Sequence, residues 1–275
     1  MLPTMTTVTL ASGHPMPVIG LGTWPMTDEQ AAVDVLSALE LGYRKIDTAE
    51  NYENETGVGL AISRSALPRD SLFVTSKFNK KWHSVEGVRQ ACEASLQRLG
   101  LDYLDLLLVH WPNPGQGRYV EAFEGLLGVQ QAGLVRSIGT SNFLSEHLQP
   151  LFDRGYLPQV NQIQLDPFHT RDDLVALHRD RGIVTEAWSP IGRGGDLLGH
   201  PAVTTLAQRH GRTPAQIVLR WHLQNGFVPL PKSSDPTRQA QNLAIFDFEL
   251  SQAEVAALHL DRPDPEMFHP NTFGH

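Results

Sequence analysis

One feature constrains this chain more than any other: short apolar or β-branched runs alternate along its whole length with longer segments patterned for helix. Eight candidate strands stand out, at Val18–Trp24, Tyr43–Asp47, Leu72–Lys77, Asp105–His110, Val135–Ser141, Val160–Gln164, Ile183–Trp188 and Phe227–Lys232. Several, such as LDLLLVH, are nearly unbroken apolar runs, the pattern of parallel strands buried on both faces. Helix signals fill the gaps. Thr27 and Gln30 suit a capping box before AAVDVLSALE, and Gly42 follows it. Thr213, Pro214 and Gln216 open a segment that closes on Gly226, and Ser251 with Glu254 repeats the box. Cap, first-turn proline and terminal glycine fall in the order that helices require. Eight strands alternating with helices predict an α/β fold, a (β/α)8 TIM barrel. Length alone leaves one or two domains open. Barrels of about 250 residues form one domain, so residues 1–275 are read as a single barrel domain. The stretch TVTLASGHPMPVIG predicts a short N-terminal β-hairpin at the barrel bottom. The proline-rich tail from Arg262 to His275 predicts an extended C-terminal loop.

The net charge of −8 and pI of about 5.8 disfavour nucleic acid and anionic lipid as partners. No run approaches the roughly 18 apolar residues of a membrane span, and the N-terminus lacks the pattern of a secretory signal. The one cysteine, Cys92, fits a reducing cytoplasm. It recurs with Val85, Val88, Leu96 and Leu99 at helical spacing, as a small core residue would.

Barrel enzymes build their sites at the C-terminal ends of the strands. Here the second strand ends on Asp47, the third on Lys77 and the fourth on His110. The fifth runs into Ser141 and Asn142, the sixth carries Asn161 and Gln162, the seventh ends on Trp188 and the eighth on Lys232. Solvated strand ends do not readily produce Asp, Lys and His on three successive strands. Tyr52 follows Asp47 in the loop DTAENYENE. A phenol with its usual pKa of about 10 is a weak acid at neutral pH. An ammonium beside it, here Lys77 held by Asp47, should lower that value. His110 can bond the same substrate oxygen. Together these groups suit proton donation to a carbonyl oxygen.

The residues now carry a resemblance. GLGTW, IDTAENYENETGVG, VTSKF, LLLVHWP, IGTSNF, VNQIQ, EAWSPIGRGG and LPKSSDPTRQAQN occur in the order of the aldo-keto reductase superfamily. The chain resembles that family over nearly its whole length, and most closely its bacterial diketogluconate and methylglyoxal reductases. The resemblance implies NADPH-dependent reduction of aldehydes and ketones (small carbonyls, dicarbonyls or keto sugars). It implies Tyr52 as general acid, Lys77 and Asp47 as its tuning pair and His110 as the orienting group. It also implies a chain that is monomeric or weakly dimeric.

The cofactor must lie over barrel loops, because the fingerprints GxGxxG and GxxxxGK[ST] are absent. By resemblance Ser141, Asn142 and Gln162 hold the nicotinamide carboxamide and Trp188 stacks on the ring. Ser189 opens the glycine-rich SPIGRGG that approaches the pyrophosphate. Lys232, Ser233 and Arg238 form the basic cluster that an acidic protein needs for a 2′-phosphate, which favours NADP(H) over NAD. Gln241 and Asn242 match the family's adenine contacts. Trp24, Phe78, Trp82 and Trp111 are expected to line an aromatic substrate mouth, with Met267 and Phe268 closing it.

Three departures bear on substrate. Gln164-Leu165-Asp166-Pro167 stands where the family often has Glu-x-His-Pro, Glu53 follows the tyrosine where glycine is common, and Glu50 adds charge to that loop. Extra acid at the mouth is expected to disfavour anionic sugar acids. Twelve histidines show no His-Glu-x-x-His, so no metal site is expected. A nucleotide-binding regulator that keeps no turnover, or a barrel isomerase or hydrolase that binds no NADPH, are the rival readings.

Overall fold

A computed structural model describes residues 6–260 and 268–274. Strands β1 (Thr7–Thr9) and β2 (Pro15–Pro17) form the expected antiparallel hairpin. The barrel strands follow: β3 (Leu21–Gly22), β4 (Lys45–Asp47), β5 (Phe73–Phe78), β6 (Leu104–Val109), β7 (Val135–Ser141), β8 (Val160–Gln164), β9 (Val184–Trp188) and β10 (Val228–Leu230). Each pairs in parallel with the next in chain order. The ring closes where Gly20 N donates to Pro229 O (3.1 Å) and Gly22 N to Pro231 O (3.2 Å). Glycine is required at this seam, because a Cβ at Gly22 would lie 2.9 Å from Leu230 O. The first and last barrel strands are shorter than the apolar runs predict. In β10 the reason is chemical, since Pro229 and Pro231 have no N–H to give a ladder.

The helices are α1 (Asp28–Leu41), α2 (Glu55–Arg64), α3 (Val85–Leu99), α4 (Tyr119–Gln131), α5 (Ser145–Phe152), α6 (Asp172–Arg181), α7 (Asp196–Gly199), α8 (Pro201–His210), α9 (Pro214–Gln224), α10 (Pro236–Leu243) and α11 (Gln252–Ala257). All three expected capping boxes form, at Thr27/Gln30, Thr213/Gln216 and Ser251/Glu254. On α3, Val88, Cys92, Leu96 and Leu99 are buried as expected, while Val85 in the first turn is exposed. Burial pushes the Cys92 thiol up to about 12, so it is inert as a nucleophile.

Period-two alternation sorts each strand between two cores. Ile46, Val74, Phe78, Leu107, Val109, Ile163 and Ala187 face the helices and join the large cluster there. Phe73, Leu106, Leu108, Val160 and Val228 face the barrel axis and pack on Leu10 and Met16 of the hairpin, which plugs the bottom. Above this apolar layer the inward positions turn polar, with Lys45, Thr75 and Glu186 buried in the middle. Asp47, Lys77, His110, Gln162 and Trp188 follow at the top.

Candidate active site

Four elements bring the expected quartet together. Asp47 ends β4, Lys77 lies in β5, His110 follows β6, and a single 3-10 turn at Glu50–Tyr52 carries the tyrosine. The buried Lys77 Nζ donates to Asp47 Oδ1 (2.6 Å), Thr48 O (3.0 Å) and Tyr52 OH (3.2 Å). The rings of Tyr52 and His110 meet edge to face at 5.8 Å. Burial would discharge Lys77, but Asp47 and Tyr52 outweigh it and hold the ammonium above its usual value. The expected direction for Tyr52 is corrected. Removal from water raises its phenol more than Lys77 lowers it, and Asp47 adds to the rise. The phenol therefore stays protonated at neutral pH, and the charge of Lys77 acts when the proton leaves.

Beside the quartet lies an amide floor. Asn142 sits at φ +63°, which turns its N–H back to Gln162 O (2.8 Å), where Ser141 Oγ also donates (3.0 Å). Asn142 Nδ2 donates to His110 O (3.0 Å), and its Oδ1 accepts from Trp188 Nε1 (2.8 Å), so the indole is fixed from one edge. Gln162 Nε2 donates to Asp47 Oδ2 (2.8 Å) and Glu186 Oε2 (2.9 Å). Glu186 Oε1 in turn meets Lys45 Nζ at 2.7 Å, both side chains fully buried. This second ion pair was not foreseen. The signal was a charge in the middle of each run, in YRKID and VTEAW, where a barrel strand has no solvent to offer. Asn161, next to Gln162, points the other way, toward His178 Nε2 (3.0 Å).

One cavity of about 730 Å³ runs from Tyr52 and His110, past Trp188, to Lys232, Ser233, Arg238, Gln241 and Asn242. At that far end Ser233 Oγ accepts from Asp235 N (3.1 Å), and Asp235 caps α10 through Thr237 N and Arg238 N. Arg238 is largely exposed, with Asp235 3.5 Å away. Ser189 sits at φ +50° and its Oγ accepts from Arg193 Nε (3.2 Å).

The aromatic mouth differs in part from expectation. Trp24 and Trp111 line the cavity, as does Phe268, whereas Met267 lies outside the described residues. Phe78 does not reach it, because alternation beside Lys77 sends its ring into the outer core. Nor is Trp82 on the wall: its indole N–H donates to Glu50 at 3.0 Å, and Lys81 lies over its ring. Phe273 and Arg193 also stand on the wall and were not foreseen. Phe273 stands edge-on to Trp111 at 4.8 Å. Arg193 spreads over Trp24 (4.8 Å), Phe268 (5.6 Å) and Trp188 (5.8 Å). The sequence offered its arginine among the glycines of SPIGRGG.

The acidic departures resolve locally. Burial would raise the Glu50 carboxyl, but Lys81 (2.7 Å), Trp82 and Asn79 N together hold it below its usual value. Its charge is thus matched and does not stand open at the mouth. Glu53 occupies φ +54°, which is the reason glycine suits that position. Asp166 is buried in a turn, bound to Phe168 N and His169 Nδ1. Among the described residues no group of three His, Cys, Asp or Glu is placed to hold a metal ion, and no helix is long and apolar enough to cross a membrane.

Residues 18–259 match the model of the aldo/keto reductase family. An aldo-keto reductase of Mycolicibacterium vanbaalenii is 48% identical over 95% of this chain and 96% of its own. Methylglyoxal reductase DkgA of Yersinia pestis is 45% identical over 95% and 96%, and 2,5-diketo-D-gluconic acid reductase B of Corynebacterium is 43% identical over 94% and 93%. Among solved structures, a mutant of Gox0644 in complex with NADPH superposes with a TM-score of 0.94 at 40% identity, covering 99% of this chain and all of that one. Bombyx mori aldo-keto reductase in complex with NADP gives 0.87 at 35%, covering 93% and 92%.

Proposed function

The chain belongs to the aldo/keto reductase family, and on that premise we propose that it reduces an aldehyde or ketone with NADPH, Tyr52 giving the proton to the carbonyl oxygen. The observation that carries this reading is the Tyr52 hydroxyl 3.2 Å from a buried, charged Lys77, at one end of a cavity whose other end is basic. The donor set fits a nicotinamide nucleotide. Asn142, Ser141 and Gln162 present amide and hydroxyl groups beside the Trp188 indole, and Lys232 with Arg238 offers cations to a 2′-phosphate. Gln241 and Asn242 suit an adenine edge, and Ser189 with its glycine-rich loop suits a diphosphate. When bound, the nucleotide supplies the hydride.

The chain's own groups do the rest. His110 and Tyr52 converge on one carbonyl oxygen and orient it. Tyr52 then releases its proton to the oxygen as negative charge develops there, leaving a phenolate that Lys77 stabilises and water reprotonates. Asp47 keeps Lys77 charged and aimed. Trp24, Trp111, Phe268 and Phe273 exclude water and favour small carbonyls, dicarbonyls or keto sugars. Because Glu50 is matched by Lys81, anionic substrates remain open to this site. We place the chain in the cytoplasm, where one buried cysteine and no disulfide is the usual pattern, as a single barrel acting as a monomer or weak dimer.

The test is NADPH oxidation, followed by absorbance, over a panel of aldehydes, dicarbonyls and keto sugars, wild type beside Tyr52→Phe. Turnover should fall in the variant by about two to four orders of magnitude, with NADPH affinity kept. Wild type that binds NADPH and reduces nothing would end the reductase reading.

A further inference from the structure

We propose that Glu186, held by Lys45, is a positioning residue: it fixes the Gln162 amide with its oxygen toward the cavity and so makes the chain selective for a nicotinamide carboxamide over an isosteric ketone. The inference rests on the proposed nicotinamide cofactor and adds a residue that does not touch it.

An ionised carboxylate can only accept hydrogen bonds. Gln162 lies between two carboxylates. Its Nε2 donates to Asp47 Oδ2 at 2.8 Å and to Glu186 Oε2 at 2.9 Å. Both amide hydrogens are thereby used. Rotating the amide by half a turn would set its oxygen against two anions, so one orientation is enforced. The remaining atom, Oε1, makes no hydrogen bond among the described residues, and Gln162 lines the cavity. An amide oxygen there accepts and cannot donate, so it favours a ligand group that carries N–H.

Asp47 alone already disfavours the turned amide, but it does not use both amide hydrogens. With Asp47 alone, one Gln162 hydrogen would be used and the second would seek a partner in the cavity. Glu186 removes that freedom only while it is charged, and a buried carboxylate stays charged only with a counter-ion. Lys45 is that ion, at 2.7 Å with both side chains fully buried. Lys45 is itself held by Thr75 Oγ1 at 3.1 Å and over the Phe73 ring at 4.2 Å. The result is a line of five groups across the barrel, ammonium, carboxylate, amide, carboxylate, ammonium, whose charges sum to zero and whose centre is the amide.

The test uses the full chain and two ligands, NADP and its 3-acetylpyridine analogue, in which a methyl ketone replaces the carboxamide and no N–H remains. Dissociation constants come from quenching of tryptophan fluorescence. Wild type should bind the carboxamide form about five- to tenfold more tightly, the scale of one hydrogen bond. In Glu186→Gln that ratio should fall to about twofold or less, because an amide neighbour no longer ties down the second Gln162 hydrogen, which can then serve a ligand oxygen as well. Lys45→Met combined with Glu186→Gln removes both buried charges together and carries the same test where the single variant melts early. A general loss of packing would weaken both ligands equally and leave the ratio alone. A ratio kept in either folded variant, or equal binding of the two ligands by wild type, overturns the inference. Wild type that binds neither ligand overturns instead the cofactor reading beneath it.

Discussion

Lys45 and Lys77 lie one layer apart inside the same barrel and have nearly the same surroundings. Each is fully buried, each meets a carboxylate within 2.7 Å, and each donates to a hydroxyl at a little over 3 Å. The difference lies in the hydroxyl. Lys45 touches Thr75, an alcohol with no useful acidity, over a phenylalanine ring and above the hairpin plug. Lys77 touches Tyr52, a phenol on a cavity wall. An ammonium and a carboxylate do not make a proton donor by themselves. They become one where the third group is acidic enough to give up its proton and placed so that a substrate can receive it.

The comparison breaks most visibly if the two lysines are removed in turn. Lys77→Met and Lys45→Met each strand a buried carboxylate, so each should cost about 3–5 kcal/mol of stability in urea unfolding. Below their melting points they should part company. Carbonyl reduction should drop about 10²–10³-fold for Lys77→Met and stay within about tenfold of wild type for Lys45→Met. Equal losses in turnover would erase the distinction.

A second contrast sets the closed side against the open one by pH. Burial pushes His83, His178 and His222 down to about 4. Their folded values lie below the unfolded value of about 6.5, so the unfolded chain binds more protons in between. Their contribution is fully present above pH 6.5 and is lost as pH falls toward 4. Urea midpoints should thus be flat above pH 6.5 and decline below it, by a few kcal/mol in total before carboxylates begin to titrate. A flat profile down to pH 4.5 would mean that these rings are not held neutral.

At the open end, Arg238→Ala should weaken NADPH binding by about tenfold or more while leaving NADH nearly unchanged, since only the former offers a 2′-phosphate. Isothermal titration with both nucleotides measures this, and parallel losses would move the phosphate contact elsewhere. The smallest effect sharpens the same contrast. Glu53, Asn142, Ser189 and Arg193 hold left-handed backbone around the cavity. Glu53→Gly should raise stability by about 1 kcal/mol by relieving one of them; no gain would show that the carboxylate compensates.

Much of this architecture was legible in the sequence because it obeys local rules. The eight runs, the three capping boxes and the polar residues closing most of the strands required only periodicity and cap chemistry. Phe78 shows where that reading was incomplete: the alternation that placed Lys77 inward already sent its neighbour outward. Trp82 was lost for another reason, since its capture by Glu50 depends on two loops meeting in space. The same holds for Phe273, whose contact with Trp111 joins the tail to the end of β6. The direction of the Tyr52 shift could not be read from residue types, because it turns on how far burial outweighs a neighbouring charge.

The seam of the barrel also sets a timetable. Gly20 and Gly22 close the ring only on Pro229 and Pro231, and Lys45 finds its counter-ion only when Glu186 arrives. A chain emerging from the ribosome must therefore carry an unfinished half-cylinder through most of its synthesis. One strand edge stays open and Lys45 stays hydrated until β9 and β10 have left the exit tunnel. That interval is when an edge-on strand of another chain can still add to the sheet.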